Sequence, residues 1–323
     1  MNKQRVAWVD MAKGLGICMV IYGHIATDAL TIWFYTFHVP LFFFLSGYFF
    51  NPNKKTTEFI LSKVKGLLLP YLTLGIPLLL INAGYGIELK QILLGYIIQE
   101  RASTLWFLAA LFMQMIIAFF LYRTIPNSKV RWCIVGLLAI SALVMWRCDV
   151  LALPWNIDVS MITLPFFCIG YRLKAHADLN RYFTFPKVVK YIGILGGVNI
   201  VGTIIMYEIP LPTVDLFASH FSFEPIAYIT AFCGILAICL FAGRFYSNTI
   251  SYIGQHSLVY FVWQQDIGIM IITKILHRFH FLEDVTGIIL FIKNITVVIA
   301  VITLLTILNE IIMKTKIRIL IGK

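Results

Sequence analysis

The sequence predicts an all-α integral membrane protein built as a bundle of about ten transmembrane helices, and three observations predict it. Of 323 residues, 60% are hydrophobic and 13% are charged, whereas soluble domains carry about a quarter charged residues. Apolar stretches of about 18 to 24 residues recur along the chain, each long enough to cross roughly 30 Å of hydrocarbon as a helix. These stretches occupy most of the sequence. No separate soluble domain fits, and residues 1–323 are expected to form one membrane domain.

In chain order the expected spans are 6–27, 32–51, 66–86, 104–122, 131–147, 157–173, 189–208, 225–243, 252–274 and 285–309. The first follows Lys3 and Arg5 without a small-residue cleavage site, so it reads as a retained helix. The second is expected to kink at Pro40, which cannot donate to the helical ladder. Basic residues fall in alternate loops: Lys54, Lys55, Lys63 and Lys65, then Arg123, Lys129 and Arg131, then Arg172, Lys174, Arg181, Lys187 and Lys190, then Lys314, Lys316 and Arg318. If the N-terminus is cytoplasmic, about 20 of the 26 Lys and Arg residues lie on that side, and both termini are expected there. The opposite loops carry Glu88, Asp149, Asp158, Asp215 and Glu224. This asymmetry accounts for a net charge of +11 with no nucleic-acid partner. Cys18, Cys133, Cys148, Cys168, Cys233 and Cys239 show no metal-ligand spacing, so they are expected to pack and no metal is expected. The ninth span carries Gln264, Gln265 and Asp266 in its apolar middle, where polar atoms need partners; they are expected to face the bundle interior.

The stretch from Asp10 to Gly47 concentrates the chemistry. Lys13, His24 and His38 are expected at membrane depth, where an ionisable group points to function. On one helix, Asp10, Lys13 and His24 fall within roughly 60° of each other, with Lys13 and His24 about 16 Å apart along the axis. Gly14, Gly16 and Gly23 between them admit close approach of another helix or of a ligand. An imidazole at His24 takes a proton from an alcohol and returns it to a leaving group, or else it packs against a carbonyl. Lys13 either snorkels to the headgroups or meets an anion, and Asp10, three residues earlier, pairs with it. His38 binds hydroxyls, assists in acid–base chemistry or braces the kink. Trp106 is an interfacial belt residue or a stacking platform for a sugar.

Several segments carry a resemblance. Lys13 and His24 with ten residues between them, then FHVPLFFFLSGYFF with Ser46, Gly47 and Tyr48, KVKGLLLPYL from Lys63, LWFLAALF from Leu105 and IGQHSLVYF from Ile253 resemble the acyltransferase-3 family of membrane O-acyltransferases, nearest its fucose-4-O-acetylase-like branch. Gly66 stands where that family has a second basic residue, and Trp263 or Gln264 where many members have a histidine. The resemblance implies transfer of an acetyl or similar acyl group from acyl-coenzyme A to a hydroxyl of a cell-surface glycan or lipid-linked sugar. It implies His24 as general base with His38 as assistant, and Asp10 joins the catalytic set by fixing the position of Lys13. Lys13, Lys63 and Lys65 would hold donor phosphates, and Trp106, Gln264 and Asp266 would contact the acceptor. Membrane lipids are the other expected partners, in a bacterial cytoplasmic membrane. The rival reading is a proton-coupled transporter or flippase that uses Lys13, His24 and Asp266 as a relay.

Overall fold

Helices make up most of the described residues, because a backbone in hydrocarbon must satisfy its own N–H and C=O groups. The computed structural model describes residues 6–84, 86–99, 101, 103–148, 153–176, 183–208, 214–218, 220–221, 224–280 and 285–321. Lys3, Arg5, Asp149 and Arg181 lie outside them, as does much of the loop between Glu208 and Pro225.

The chain begins with α1 (Ala7–Gly23), α2 (Ala29–Tyr35) and α3 (His38–Tyr48). Next, α4 (Thr56–Lys63) runs through a π-helical turn, Val64–Leu68, into α5 (Leu69–Gly84). The register widens just before Pro70, whose missing N–H leaves the Gly66 carbonyl without an α-helical donor. Then follow α6 (Leu89–Ile98), α7 (Trp106–Thr124), α8 (Ser128–Arg147), α9 (Ile157–His176), α10 (Lys187–Glu208) and α11 (Glu224–Arg244). The last stretch holds α12 (Asn248–Gln255), α13 (Ser257–Trp263), a second π-helical turn at Gln264–Ile269, α14 (Met270–Arg278) and α15 (Gly287–Lys314).

Among the described residues, eight segments are long and apolar enough to cross a membrane: Ala29–Tyr48, Thr56–Gly84, Trp106–Thr124, Ser128–Arg147, Lys187–Glu208, Glu224–Arg244, Ser257–Arg278 and Gly287–Lys314. The expected spans 6–27 and 157–173 are helical but fall outside this set. Helix α1 is only 17 residues long and stops at Gly23. Helix α9 carries Asp158, Arg172 and Lys174. The kink expected at Pro40 is also displaced. The break falls at Thr36–Phe37, and Pro40 sits in the first turn of α3, where a helix has no use for its N–H.

The chain divides into two compact units. The first comprises Met1–Phe42, Asp178–Asp215 and Phe221–Ile311. Within it, α1 packs on α2, α11, α12 and α13, and α10 packs on α11. The α1–α12 crossing is so close that a Cβ at Gly14 would collide with the Ile250 carbonyl, and one at Gly254 with the Asp10 carbonyl. Asn199 of α10 ties three elements together: its Oδ1 accepts from Trp33 Nε1, and its Nδ2 donates to the Thr230 carbonyl (2.8 Å) and to Thr36 Oγ1 (3.4 Å). The second unit comprises Phe43–Ala177, Leu216–His220 and Ile312–Lys323. Here the end of α3 crosses α9 through a reciprocal pair, in which a Cβ at Gly47 would meet the Phe167 carbonyl and one at Gly170 the Phe44 carbonyl.

Candidate active site

Helix α1 carries Asp10 and Lys13, both half-buried, in its first half. His24 is the residue just past its end. Its backbone N–H still bonds to the Val20 and Ile21 carbonyls (3.2 and 3.3 Å), while its side chain is exposed. The sequence places His24 inside a longer buried helix; the structure ends that helix at Gly23 and leaves His24 solvent-accessible in the turn that follows. The turn that follows is held at several points. Tyr22 Oη donates to Asp28 Oδ2, the Thr31 N–H donates to Asp28 Oδ1 (3.0 Å), and Thr31 Oγ1 donates to the Ala26 carbonyl (2.8 Å). Asp28 thus caps α2 and anchors the end of α1 together. A held turn of this kind restricts where the His24 imidazole can point.

Three other side chains gather near His24. Asp215 lies close enough for its charge to act on both His24 and Tyr35, and His24 in turn acts on His38. The Tyr35 ring meets the His38 ring edge-on with centroids 4.9 Å apart, and it also covers Gly23. His38 is buried, at 4% exposure. Its Nδ1 lies 2.7 Å from the Phe34 carbonyl, so in the neutral ring Nδ1 carries the proton and Nε2 is left as an acceptor. The arrangement therefore offers one exposed imidazole, one buried imidazole of defined tautomer and one carboxylate. Neither Asp215 nor Tyr35 stands out in the sequence, since one reads as a loop acid and the other as one more aromatic in an aromatic segment.

The remaining expected site residues are dispersed. Lys63, at the end of α4, stands over the Phe59 ring at 5.3 Å, and Lys65 is exposed in the π-helical turn that follows. Both belong to the second unit, as does Trp106. Trp106 is buried at the start of α7 against Phe107 and Phe217, with centroids 6.2 and 6.1 Å away, so an exposed belt position is not what the fold provides. Of the polar trio in the ninth span, Gln264 is buried, Asp266 half-buried and Gln265 exposed, because the trio enters a π-helical turn and its side chains fan out. They do not all face inward as expected. Neither polar atom of the Gln264 carboxamide has a partner among the described residues. Buried unsatisfied amides are costly, so Gln264→Leu is expected to raise stability by about 1 kcal/mol or leave it unchanged. A loss of more than that in thermal unfolding would mean the carboxamide is satisfied in the folded protein.

A second polar cluster, in the other unit, was not legible in the sequence. Arg101 and Asp158 form a buried ion pair, and Trp146 Nε1 donates to the same Asp158 oxygen at 2.7 Å. Asn156 Nδ2 donates to the carbonyls of Gln99 (3.2 Å) and Trp106 (3.4 Å), and Gln99 Nε2 donates to Tyr71 Oη (2.7 Å). Gln99, Arg101, Ser103, Trp155 and Asn156 all have φ between 53° and 58°, a left-handed conformation that is unusual for non-glycine residues and an outlier for tryptophan. Arg101 and Asp158 stand 57 residues apart, each at the edge of an apolar segment, and only the fold pairs them.

Residues 6–309 match the family model for the acyltransferase domain. The chain belongs to the acyltransferase-3 family. No curated protein and no solved structure matches it. Family membership and the eight apolar helices together make this acyltransferase an integral membrane protein, working with an acyl donor and an acceptor. Among the described residues of the acyltransferase, no group of three His, Cys, Asp or Glu side chains is placed to hold a metal ion.

Proposed function

We propose that this acyltransferase moves an acetyl or similar acyl group from acyl-coenzyme A to a hydroxyl of a cell-surface glycan or lipid-linked sugar, in the manner of the fucose-4-O-acetylase-like branch. The observation that carries the reading is the exposed His24 imidazole, held at the end of α1 with the Asp215 carboxylate in electrostatic reach, in a chain of this family. His24 takes the proton of the acceptor hydroxyl as its oxygen attacks the thioester carbonyl. A carbon–oxygen bond forms, the carbon–sulfur bond breaks, and the proton leaves with coenzyme A thiol. Asp215 stabilises the imidazolium that forms between these steps. His38 Nε2 supplies a second acceptor, and Asp10 positions Lys13.

Lys13 meets the donor's phosphates at the far end of α1, while Gln264 and Asp266 serve the acceptor. The spacing suits coenzyme A, whose phosphates and thioester are separated by a long flexible arm. Thiol release from acetyl-coenzyme A by purified protein in nanodiscs tests the scheme. Lys13→Ala is expected to raise the donor KM about tenfold with kcat little changed, as for a contact made equally in ground and transition states. Wild type that binds no acetyl-coenzyme A and releases no thiol with any sugar acceptor would sink the donor assignment.

A further inference from the structure

We propose that the basic end of the second unit, where Arg123, Arg131 and Lys174 rest on one connected set of aromatic rings, binds the phosphate headgroup of an anionic phospholipid. Arg131 lies 4.1 Å over the Tyr122 ring and Arg123 5.6 Å over Phe119, while Lys174 stands 5.5 Å from the Phe49 ring and 5.6 Å from Tyr48. Phe50, next in the chain after Phe49, joins these supports: its ring meets Tyr122 at 5.6 Å and Phe59 at 5.9 Å, and Phe59 stacks on Phe119 at 4.2 Å. Backbone carbonyls hold the two guanidinium groups, since Arg123 Nη1 donates to Lys54 (3.0 Å) and Arg131 Nη1 to Ile125 (2.8 Å). Three cations from the ends of α7 and α9 and the start of α8 are thereby set in place.

What the cluster lacks is a counter-ion. Among the described residues, none of the three cations meets a carboxylate, and Glu58 is the only acid in residues 43–65, 119–135 and 165–174, which build this end of the unit. Each guanidinium gives one hydrogen bond to the protein, and the rest of its planar fork suits two phosphate oxygens. Like charges gathered on one ring cluster repel, so an anion that settles among them stabilises it. Position decides which anion. Arg123 stands in the last turn of the apolar segment Trp106–Thr124 and Arg131 in the first turn of Ser128–Arg147, both long enough to cross a membrane, which is the level of lipid headgroups. Phe49, Phe120 and Val130 are exposed beside the cations. A phosphate that arrives with acyl chains of its own covers both kinds of surface, whereas a soluble phosphate covers only the charge.

Native mass spectrometry of the full chain in detergent, titrated with phosphatidylglycerol or with phosphatidylcholine of the same acyl chains, measures the preference for net negative charge. Wild type is expected to bind phosphatidylglycerol at least about tenfold more tightly, and the Arg123→Gln, Arg131→Gln, Lys174→Gln triple variant is expected to bind both lipids alike. Lys174→Gln alone replaces an exposed side chain and leaves the ring cluster packed; it is expected to cut the preference about fivefold. Lys187→Gln with Lys190→Gln removes charge from exposed positions on α10 in the other unit and should leave the preference intact, which separates a site from general attraction to a basic protein. Equal binding of the two lipids to wild type, or a preference that survives both in Lys174→Gln and in the triple variant, overturns the proposal. An equal loss in the α10 variant does the same. Displacement of phosphatidylglycerol from wild type by equimolar coenzyme A would overturn the lipid assignment and give the cluster to a soluble phosphate.

Discussion

Replacing His24 with alanine is expected to lower acyl transfer by about a hundredfold to ten-thousandfold, the range spanned by loss of a general base, with the fold intact. The structural half of that expectation follows from where His24 sits. Its side chain is exposed, and the bonds that close the end of α1 run through its backbone N–H and through Tyr22 and Asp28, none of which the substitution removes. Unfolding temperature should therefore be close to wild type while thiol release at saturating substrates collapses. His38→Ala is the comparison that locates the base, since it removes a buried ring bonded to the Phe34 carbonyl and should cost stability as well as rate. Full activity in His24→Ala would transfer the base role to His38 Nε2.

The largest structural effect is expected at the crossing of α3 and α9. Gly47→Val or Gly170→Val should destabilise the protein by at least about 3 kcal/mol, beyond ordinary overpacking, or abolish folding. Each glycine faces a backbone carbonyl of the opposite helix, at Phe167 and Phe44, and carbonyls on a packed helix cannot swing aside as a side-chain tip can. The first Cβ must therefore part the helices and undo the aromatic packing around Phe50, whose ring meets Phe167 at 5.1 Å and Tyr171 at 5.4 Å. Gly136→Ala on α8 is the control: nothing lies within 4 Å of a Cβ there, and the substitution should be neutral or slightly stabilising. Thermal unfolding of the three variants in detergent reads the contrast, and a Gly47→Val protein as stable as Gly136→Ala would show that the two helices are not in close contact.

Helical identity, membrane residence and the family were legible in the sequence because each depends on local composition or on contiguous motifs. Sixty per cent hydrophobic residues in repeated long runs leave the backbone little choice but to form helices in hydrocarbon. The small-residue logic was legible too: Gly14, Gly16 and Gly23 read as close-approach positions, and a Cβ at Gly14 would meet the Ile250 carbonyl of α12 while one at Gly23 would meet the Tyr35 ring. Helix ends were less legible. Periodicity carried α1 past Gly23, whereas the Tyr22–Asp28 bond and the Asp28 cap turn the chain there and place His24 outside the helix.

The sequence by itself determined which residues the proposed chemistry falls to in the first segment, since Lys13 and His24 are singled out by type and spacing along one continuous stretch. Only the tertiary structure decided what surrounds them: that Asp215 and Tyr35 come to His24, that His38 is buried with Nδ1 on a carbonyl, and that Arg101 finds Asp158 across 57 residues. Spacing acts over a turn or two of helix, whereas these partnerships form between segments far apart in the chain. They are set by helix packing, which depends on side-chain shape at each crossing and leaves no periodic mark in the sequence.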